Sequence, residues 1–229
     1  MSEHISSAFD EALNEINTMV LTMGGLALAQ LHGVIDALNT KDNAVLEDLI
    51  AADAKIDEIE VNLNAKAIET IAVWSPFAED LRKVFVAIKL AQIIERIGDY
   101  AANIAKRDLS VDQTQANEII DDLREAGGMA CAMLVDAIDA YRHLDQDKAL
   151  SVWNRDVDLD VRHNAINHKL IVAMENKTVE MAAGSQYLFI MKNIERIGDF
   201  TTGIAEQVYF QINASQIEDD RPKVGSVGT

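Results

Sequence analysis

The chain is predicted to be all-α, built as two tandem three-helix bundles related by internal duplication. Three observations carry that prediction. Proline occurs twice and glycine eleven times in 229 residues, so helix breakers are sparse in a chain rich in Ala, Leu and Ile. Ile94-Glu95-Arg96-Ile97-Gly98-Asp99 recurs as Ile194-Glu195-Arg196-Ile197-Gly198-Asp199, and repetition at such a spacing marks two copies of one structural unit. Apolar residues recur at helical period through long segments separated only by short polar breaks, and short breaks make consecutive helices antiparallel neighbours.

Six helices follow in order. The first spans about Ser7 to Leu38 and breaks at Asn39-Thr40-Lys41-Asp42-Asn43. The second runs to Trp74. There Ser75 is expected to cap the third helix and Pro76 to take its first position, where a missing N–H costs nothing. The third helix runs from Pro76 to Arg107 and carries the first copy of the motif. Leu109-Ser110-Val111-Asp112 joins the halves, giving repeats over residues 1–108 and 109–213. Helices four and five end near His143 and Glu175, parted at Leu144-Asp145-Gln146. The sixth starts near Asn176 and ends near Asn213. Residues 214–229 are polar and aperiodic and are expected to be a disordered tail.

Charge and cysteine content narrow the function. A formal net charge of −18 opposes binding to nucleic acid, which needs a basic surface. Cys131 is the single cysteine, so no intrachain disulfide forms and a reducing compartment fits. No basic-then-apolar leader follows Met1, and the apolar stretch from Gly24 to Leu31 reads as part of an amphipathic helix instead of a membrane span. The expected location is cytoplasmic.

Acidic pairs four residues apart are common in so acidic a chain, and pairs such as Glu11/Glu15, Glu118/Asp122 and Asp121/Glu125 read as solvated faces. Glu95 and Asp99 differ by position. On a helical wheel they continue the apolar stripe of Leu81, Val84, Ile88, Ala91 and Ala102, while Arg82, Lys89, Gln92, Arg96, Asn103 and Arg107 lie on another side. Met181, Gly184, Leu188 and Met191 align in the same way with Glu195 and Asp199. One helix earlier, Asp53, Asp57, Glu60 and Asn64 form a stripe that recurs 103 residues on as Asp156, Asp160, His163 and Asn167. Buried like charges are costly unless paired, protonated or bound to a cation.

Carboxylate clusters of this kind suit Mg, Mn, Fe or Zn. The expected metal-ligating set is therefore Asp53, Asp57, Glu60, Glu95 and Asp99 in one repeat, with Asp156, Asp160, His163, Glu195 and Asp199 in the other. The competing reading is a salt-bridge network in which Arg96 and Arg196 neutralise the acids. His4, His32, His143 and His168 have no recurring ligand context and read as surface or core side chains. Gly98 and Gly198, in mid-helix, imply close approach of a neighbouring helix.

Pro76, Asp80-Leu81-Arg82, the motif Glu95 to Asp99 with Ala102-Asn103-Ile104-Ala105, and the second copy with Ile204-Ala205-Glu206 together resemble the PhoU family. The resemblance extends from the first helix to about Gln211. It implies a regulator of phosphate uptake and of phosphate-starvation signalling, with a phosphate sensor histidine kinase and a phosphate ABC transporter ATPase as partners, peripheral to membrane complexes and dimeric. It also implies metal clusters on Asp53/Asp57, Glu95/Asp99, Asp156/Asp160 and Glu195/Asp199. Arg82, Arg96, Asn103 and Arg196 would support these sites or face the partner. The chain departs from the family pattern in having Tyr100 and Phe200 where many copies place His after the motif Asp. Gly203 stands in place of Asn103, and Glu180-Met181-Ala182 in place of Asp80-Leu81-Arg82.

No phosphate-cradling glycine loop or nucleophile elbow occurs, so the expected role is not enzymatic. A di-iron or di-manganese carboxylate enzyme is the rival, weakened because no Glu-x-x-His pair occurs in the chain. A metal store or sensor is a third reading.

Overall fold

The computed structural model describes residues 2–38, 40, 42–111 and 117–218. Among these the chain is helical throughout: α1 (Ser2–Ala37), α2 (Asn43–Trp74), α3 (Glu79–Leu109), α4 (Asn117–His143), α5 (Gln146–Glu175) and α6 (Met181–Asn213). The expected two three-helix bundles are present, α1–α3 and α4–α6. They are joined along two seams, α1 on α4 and α3 on α6, so that α2 touches only α1 and α3, and α5 only α4 and α6. The inner helices supply the core and the outer pair flank it.

Local chemistry explains where the helices begin and end. Asp42 caps α2, its Oδ1 accepting from the N–H groups of Ala44 and Val45 at 3.1 and 3.3 Å. Asp145, 103 residues later, caps α5 by accepting from Lys148 N–H at 3.0 Å. Each satisfies donors that a helix start leaves unpaired.

Three expectations are corrected. Ser75 does not cap α3: it closes α2 in the left-handed region at φ 46°, its N–H donating to Ile71 O at 3.0 Å. Proline disfavours helical backbone in the residue before it, and Ala78 at φ 53° keeps the α2–α3 link open, so α3 starts at Glu79. Likewise Asn176 terminates α5 instead of opening α6, which begins at Met181. Third, α1 is more apolar than expected, with no Asp, Glu, Lys or Arg between Glu15 and Asp36. By length and composition it could cross a membrane. Here it spends that surface on the core, with Val20, Met23, Ala27, Leu31 and Val34 fully buried.

The α1–α4 seam is reciprocal. A Cβ on Gly24 would meet Ile138 Cδ1 at 2.6 Å, and a Cβ on Gly127 would meet Ile35 Cδ1 closer still. Both pairs are related by 103 residues, so the duplicated halves meet about a pseudo-twofold axis. Near that axis on the α3–α6 seam, the rings of Tyr100 and Phe200 pack 5.7 Å apart. Cys131 is buried, which pushes its thiol up to about 12. Of the tail, Ala214–Glu218 is non-helical and Ile217 packs on the core. The disorder expected for 219–229 lies outside the described residues.

Candidate functional site: two carboxylate clefts

The two outer grooves, α2 against α3 and α5 against α6, hold the repeated acidic residues. In the first, Asp53, Glu60, Glu95 and Asp99 are half-buried and Asp57 is exposed. In the second, Asp156, Asp160, His163, Glu195 and Asp199 are all half-buried. Each groove therefore brings together the residues singled out from the sequence, at the boundary between core and solvent. The wheel stripes behind them hold from Val84 and Gly184 onward. They fail at Leu81 and Met181, which are 41 and 67% exposed because they sit in the opening turns of α3 and α6.

The first cleft contains a residue that sequence reasoning missed. Gln30 of α1 is 3% exposed; its Nε2 donates to Leu49 O at 3.0 Å and to Asp53 Oδ1 at 3.4 Å, and its Oε1 has no hydrogen-bond partner. Gly98 permits this arrangement. A Cβ there would stand 2.8 Å from Asp53 Oδ1, 2.9 Å from Ile56 Cδ1 and 3.3 Å from Gln30 Oε1. The signal was a lone amide at a core register of α1, since Gln30 continues the buried series Val20, Met23 and Ala27.

Electrostatics show how hard these carboxyls are pressed. Burial raises the Asp53 carboxyl above its ordinary range; the Gln30 bond opposes this, and Asp99 and Asp57 add to it. Glu95 is raised by burial first and then by Asp99, against the pull of Arg96. Arg96 reaches both acids, at 3.6 Å from Glu95 and 3.4 Å from Asp99. Glu60 accepts from Asn64 Nδ2 at 3.2 Å. Glu60, Glu95 and Arg96 also line a groove of about 590 Å³ to which Phe200 of the other repeat contributes.

The second cleft is neutralised differently. Lys192, where the first repeat has Gln92, sits 2.5 Å from Glu195 Oε2, whose side chain is only 12% exposed. Arg196 reaches Asp199 at 3.4 Å, yet burial and Glu195 still raise the Asp199 carboxyl. His163 Nε2 lies 2.7 Å from Asn167 Nδ2, and burial lowers its pKa, so the neutral imidazole is favoured. Met133 occupies the register position of Gln30 and is fully enclosed. Gly198 packs against Leu159, with Asp156 Oδ1 3.6 Å from its notional Cβ.

Among the described residues no three carboxylate, imidazole or thiolate groups already converge as a metal shell. Like charges repel and turn instead to Arg96, Lys192 and Arg196. The donor set is still that of a hard or borderline cation: carboxylate oxygens held partly out of water, one imidazole and the unpartnered amide oxygens of Gln30, Asn64 and Asn167. Arg82 is half-buried at the start of α3 and Asn103 is exposed; neither reaches the acids. His32, His143 and His168 are exposed, and the side chain of His4 lies outside the described residues.

The PhoU domain model matches residues 20–107 and 123–208, one match on each repeat. The chain belongs to the PhoU family. It is 33% identical over 225 residues to the phosphate-specific transport system accessory protein PhoU homolog of Caulobacter vibrioides, covering 98% of both chains. The counterpart from Rhizobium meliloti is 34% identical over 221 residues, covering 96% of this chain and 93% of that one. Two solved structures share the whole architecture. The PhoU regulatory protein of Streptococcus pneumoniae superposes with a TM-score of 0.86 at 27% identity, covering 92% of this chain and 99% of that one. PhoU of Pseudomonas aeruginosa gives 0.87 at 26%, covering 90 and 100%.

Proposed function

We propose that this protein is a cytoplasmic, non-catalytic regulator of phosphate transport that restrains phosphate uptake and phosphate-starvation signalling through protein–protein contacts. The observation that carries the reading is family membership over nearly the full chain, with relatives named as accessory proteins of a phosphate-specific transport system. Its partners are the ATPase of a phosphate ABC transporter and the cytoplasmic part of a phosphate-sensing histidine kinase, and its working state is a homodimer. Deleting the gene should raise phosphate-regulon expression in phosphate-rich medium; unchanged expression would contradict this role.

The clefts are the regulatory input in this reading. Asp53, Asp57, Glu60, Glu95 and Asp99 hold one divalent or trivalent cation centre, and Asp156, Asp160, His163, Glu195 and Asp199 hold another. Fe, Mn, Zn and Mg all suit such donors. A bound cation would offset the burial, and the like-charge repulsion added to it, that raise Asp53, Glu95 and Asp199. It would also compete with Arg96 and Arg196 for their carboxylates and turn them toward solvent. Cation load is thereby expressed as a change of charge on the outer surface of α3 and α6. Stripping the metal with a chelator should weaken partner binding; unchanged binding would leave the clefts as stores with no regulatory output.

A further inference from the structure

One surface runs between the two carboxylate clefts, sharing Arg96, Lys192 and Arg196 with them, and has a composition unlike the rest of the molecule. Helices α3 and α6 carry eight basic and eight acidic residues, so the whole net charge of −18 resides elsewhere. On α3, Phe85, Lys89, Gln92, Arg96, Tyr100, Asn103 and Arg107 fall within one narrow stripe at helical period. Phe189, Lys192, Arg196, Phe200, Gly203 and Gln207 form the equivalent stripe on α6.

Antiparallel packing merges the two stripes into a single ridge with matched ends. At one end Lys89 Nζ lies 5.7 Å from the centre of the Phe85 ring, and Phe85 meets Phe210 edge-on at 6.4 Å. At the other, the Arg107 guanidinium lies 4.2 Å above Phe189 and donates to Gln186 Oε1 at 3.1 Å. Tyr100 and Phe200 pack in the middle. Phe85 and Phe189 remain 46 and 51% exposed. Four of the six phenylalanines of the chain thus lie on this one ridge.

The pairs at the two ends do not follow from duplication alone, because the duplicate of Lys89 is Phe189 and that of Arg107 is Gln207. The same cation–aromatic chemistry is assembled twice from different residues. Exposed aromatics beside basic side chains, with Glu206 the acid that lines the Phe85 end, have the composition of a protein-binding surface.

We propose that the α3/α6 ridge is the docking face for an acidic amphipathic helix of a protein partner. Arg107 stands eighteen positions after Lys89 on α3, about 27 Å of helix. The partner helix that fits is therefore about five turns long, with carboxylates near both ends to meet Lys89 and Arg107 and apolar side chains between them over Phe85, Tyr100, Phe200 and Phe189. Charge complementarity selects it: the ridge is the part of a strongly acidic protein that does not repel acid. The inference rests on the contact-based regulation proposed above and assigns it a surface.

The test uses the full-length protein with two purified probes, the cognate phosphate transporter ATPase and the cytoplasmic region of the cognate sensor kinase. Binding is titrated at low and high salt. Lys89→Glu with Arg107→Glu should weaken binding to at least one probe by about tenfold or more and remove most of its salt sensitivity. Lys89→Gln with Arg107→Gln should have a smaller effect in the same direction. Phe85→Ala with Phe189→Ala should weaken binding about tenfold while leaving the salt sensitivity in place. Lys55→Glu, on the outer face of α2, should bind as wild type. Helix content and melting temperature verify that each variant folds.

Ridge variants that bind both probes within twofold of wild type would overturn the inference while sparing the regulatory reading. The same holds if those variants change only self-association or binding to anionic vesicles. A wild-type protein that binds neither probe would overturn the regulatory reading itself, and the inference with it.

Discussion

The two carboxylate clefts derive from one ancestral design and solve the same electrostatic problem by different means. The first relies on an amide brought in from α1: Gln30 donates to Asp53 at 3.4 Å while its own Oε1 stays unpartnered. The second replaces that amide with Met133 and adds an ammonium, Lys192, against Glu195. A cleft without an ammonium of its own is open to a cation; one holding Lys192 against Glu195 must give that up first. The difference teaches that duplication preserved four carboxylate pairs, Arg96/Arg196 and Gly98/Gly198, while Glu60 became His163 and the neutralising group drifted. The first cleft should consequently bind metal more tightly.

Several substitutions break or sharpen that contrast. The largest effect is expected from Gly98→Ala, whose methyl would press on Asp53 and Ile56 inside 3.0 Å. Overpacking of this kind costs up to about 3 kcal/mol, offset by about 1 kcal/mol of helix propensity. Gly198→Ala would press on one crowded neighbour, Leu159, against the three that crowd Gly98, and should cost less. Urea unfolding of the two variants compares the costs directly.

Next comes Gln30→Met, which converts the first cleft toward the second. It removes two hydrogen bonds from a buried site and should destabilise by about 1–2 kcal/mol, with a weaker metal affinity confined to the first cleft. Metal titration monitored separately at each cleft would show whether that loss is confined.

Asp53→Asn acts in the opposite direction. The folded Asp53 carboxyl is raised, so its charge opposes folding at neutral pH. That penalty is fully present above the folded pKa and disappears as pH falls through it toward the unfolded value. The metal-free variant should melt above wild type at pH 7 and lose that advantage in acid. A variant melting below wild type at pH 7 would place Asp53 in a compensated site.

Smaller effects should come from the second cleft. Lys192→Gln reproduces the residue of the first repeat; the pair it breaks is partly exposed, so the cost is about 0.5–1 kcal/mol at most, while metal affinity in that cleft rises. His163 is held neutral below its ordinary pKa by burial. Its contribution to stability is complete above pH about 6.5 and is lost as pH falls from there through the depressed folded value. His163→Gln should flatten that part of the melting curve without moving its value at pH 8.

Much of this was legible in the sequence. The repeated motif gave the duplication, and the register of Asp53 through Asn64 with Asp156 through Asn167 located both clefts. What escaped had local or long-range causes. Ser75-Pro76 matches a helix start in composition, yet Ser75 closes α2 as a left-handed helix end, a choice between two valid turn chemistries. Gln30 stands 23 residues before Asp53 and was visible only as an amide inside an apolar stripe. The ridge depends on Arg107 meeting Phe189, residues that no periodicity within one helix could pair.

The most direct test of the duplicated clefts as cation sites is elemental analysis of the purified, untagged protein beside a variant with Asp57, Glu95, Asp99, Asp160, Glu195 and Asp199 changed to the matching amides. The account predicts stoichiometric Fe, Mn or Zn in the wild type and none in a variant that remains folded. Metal retained in the variant, or absent from both folded proteins, would contradict it and leave the clefts as salt-bridge networks closed by Arg96, Lys192 and Arg196.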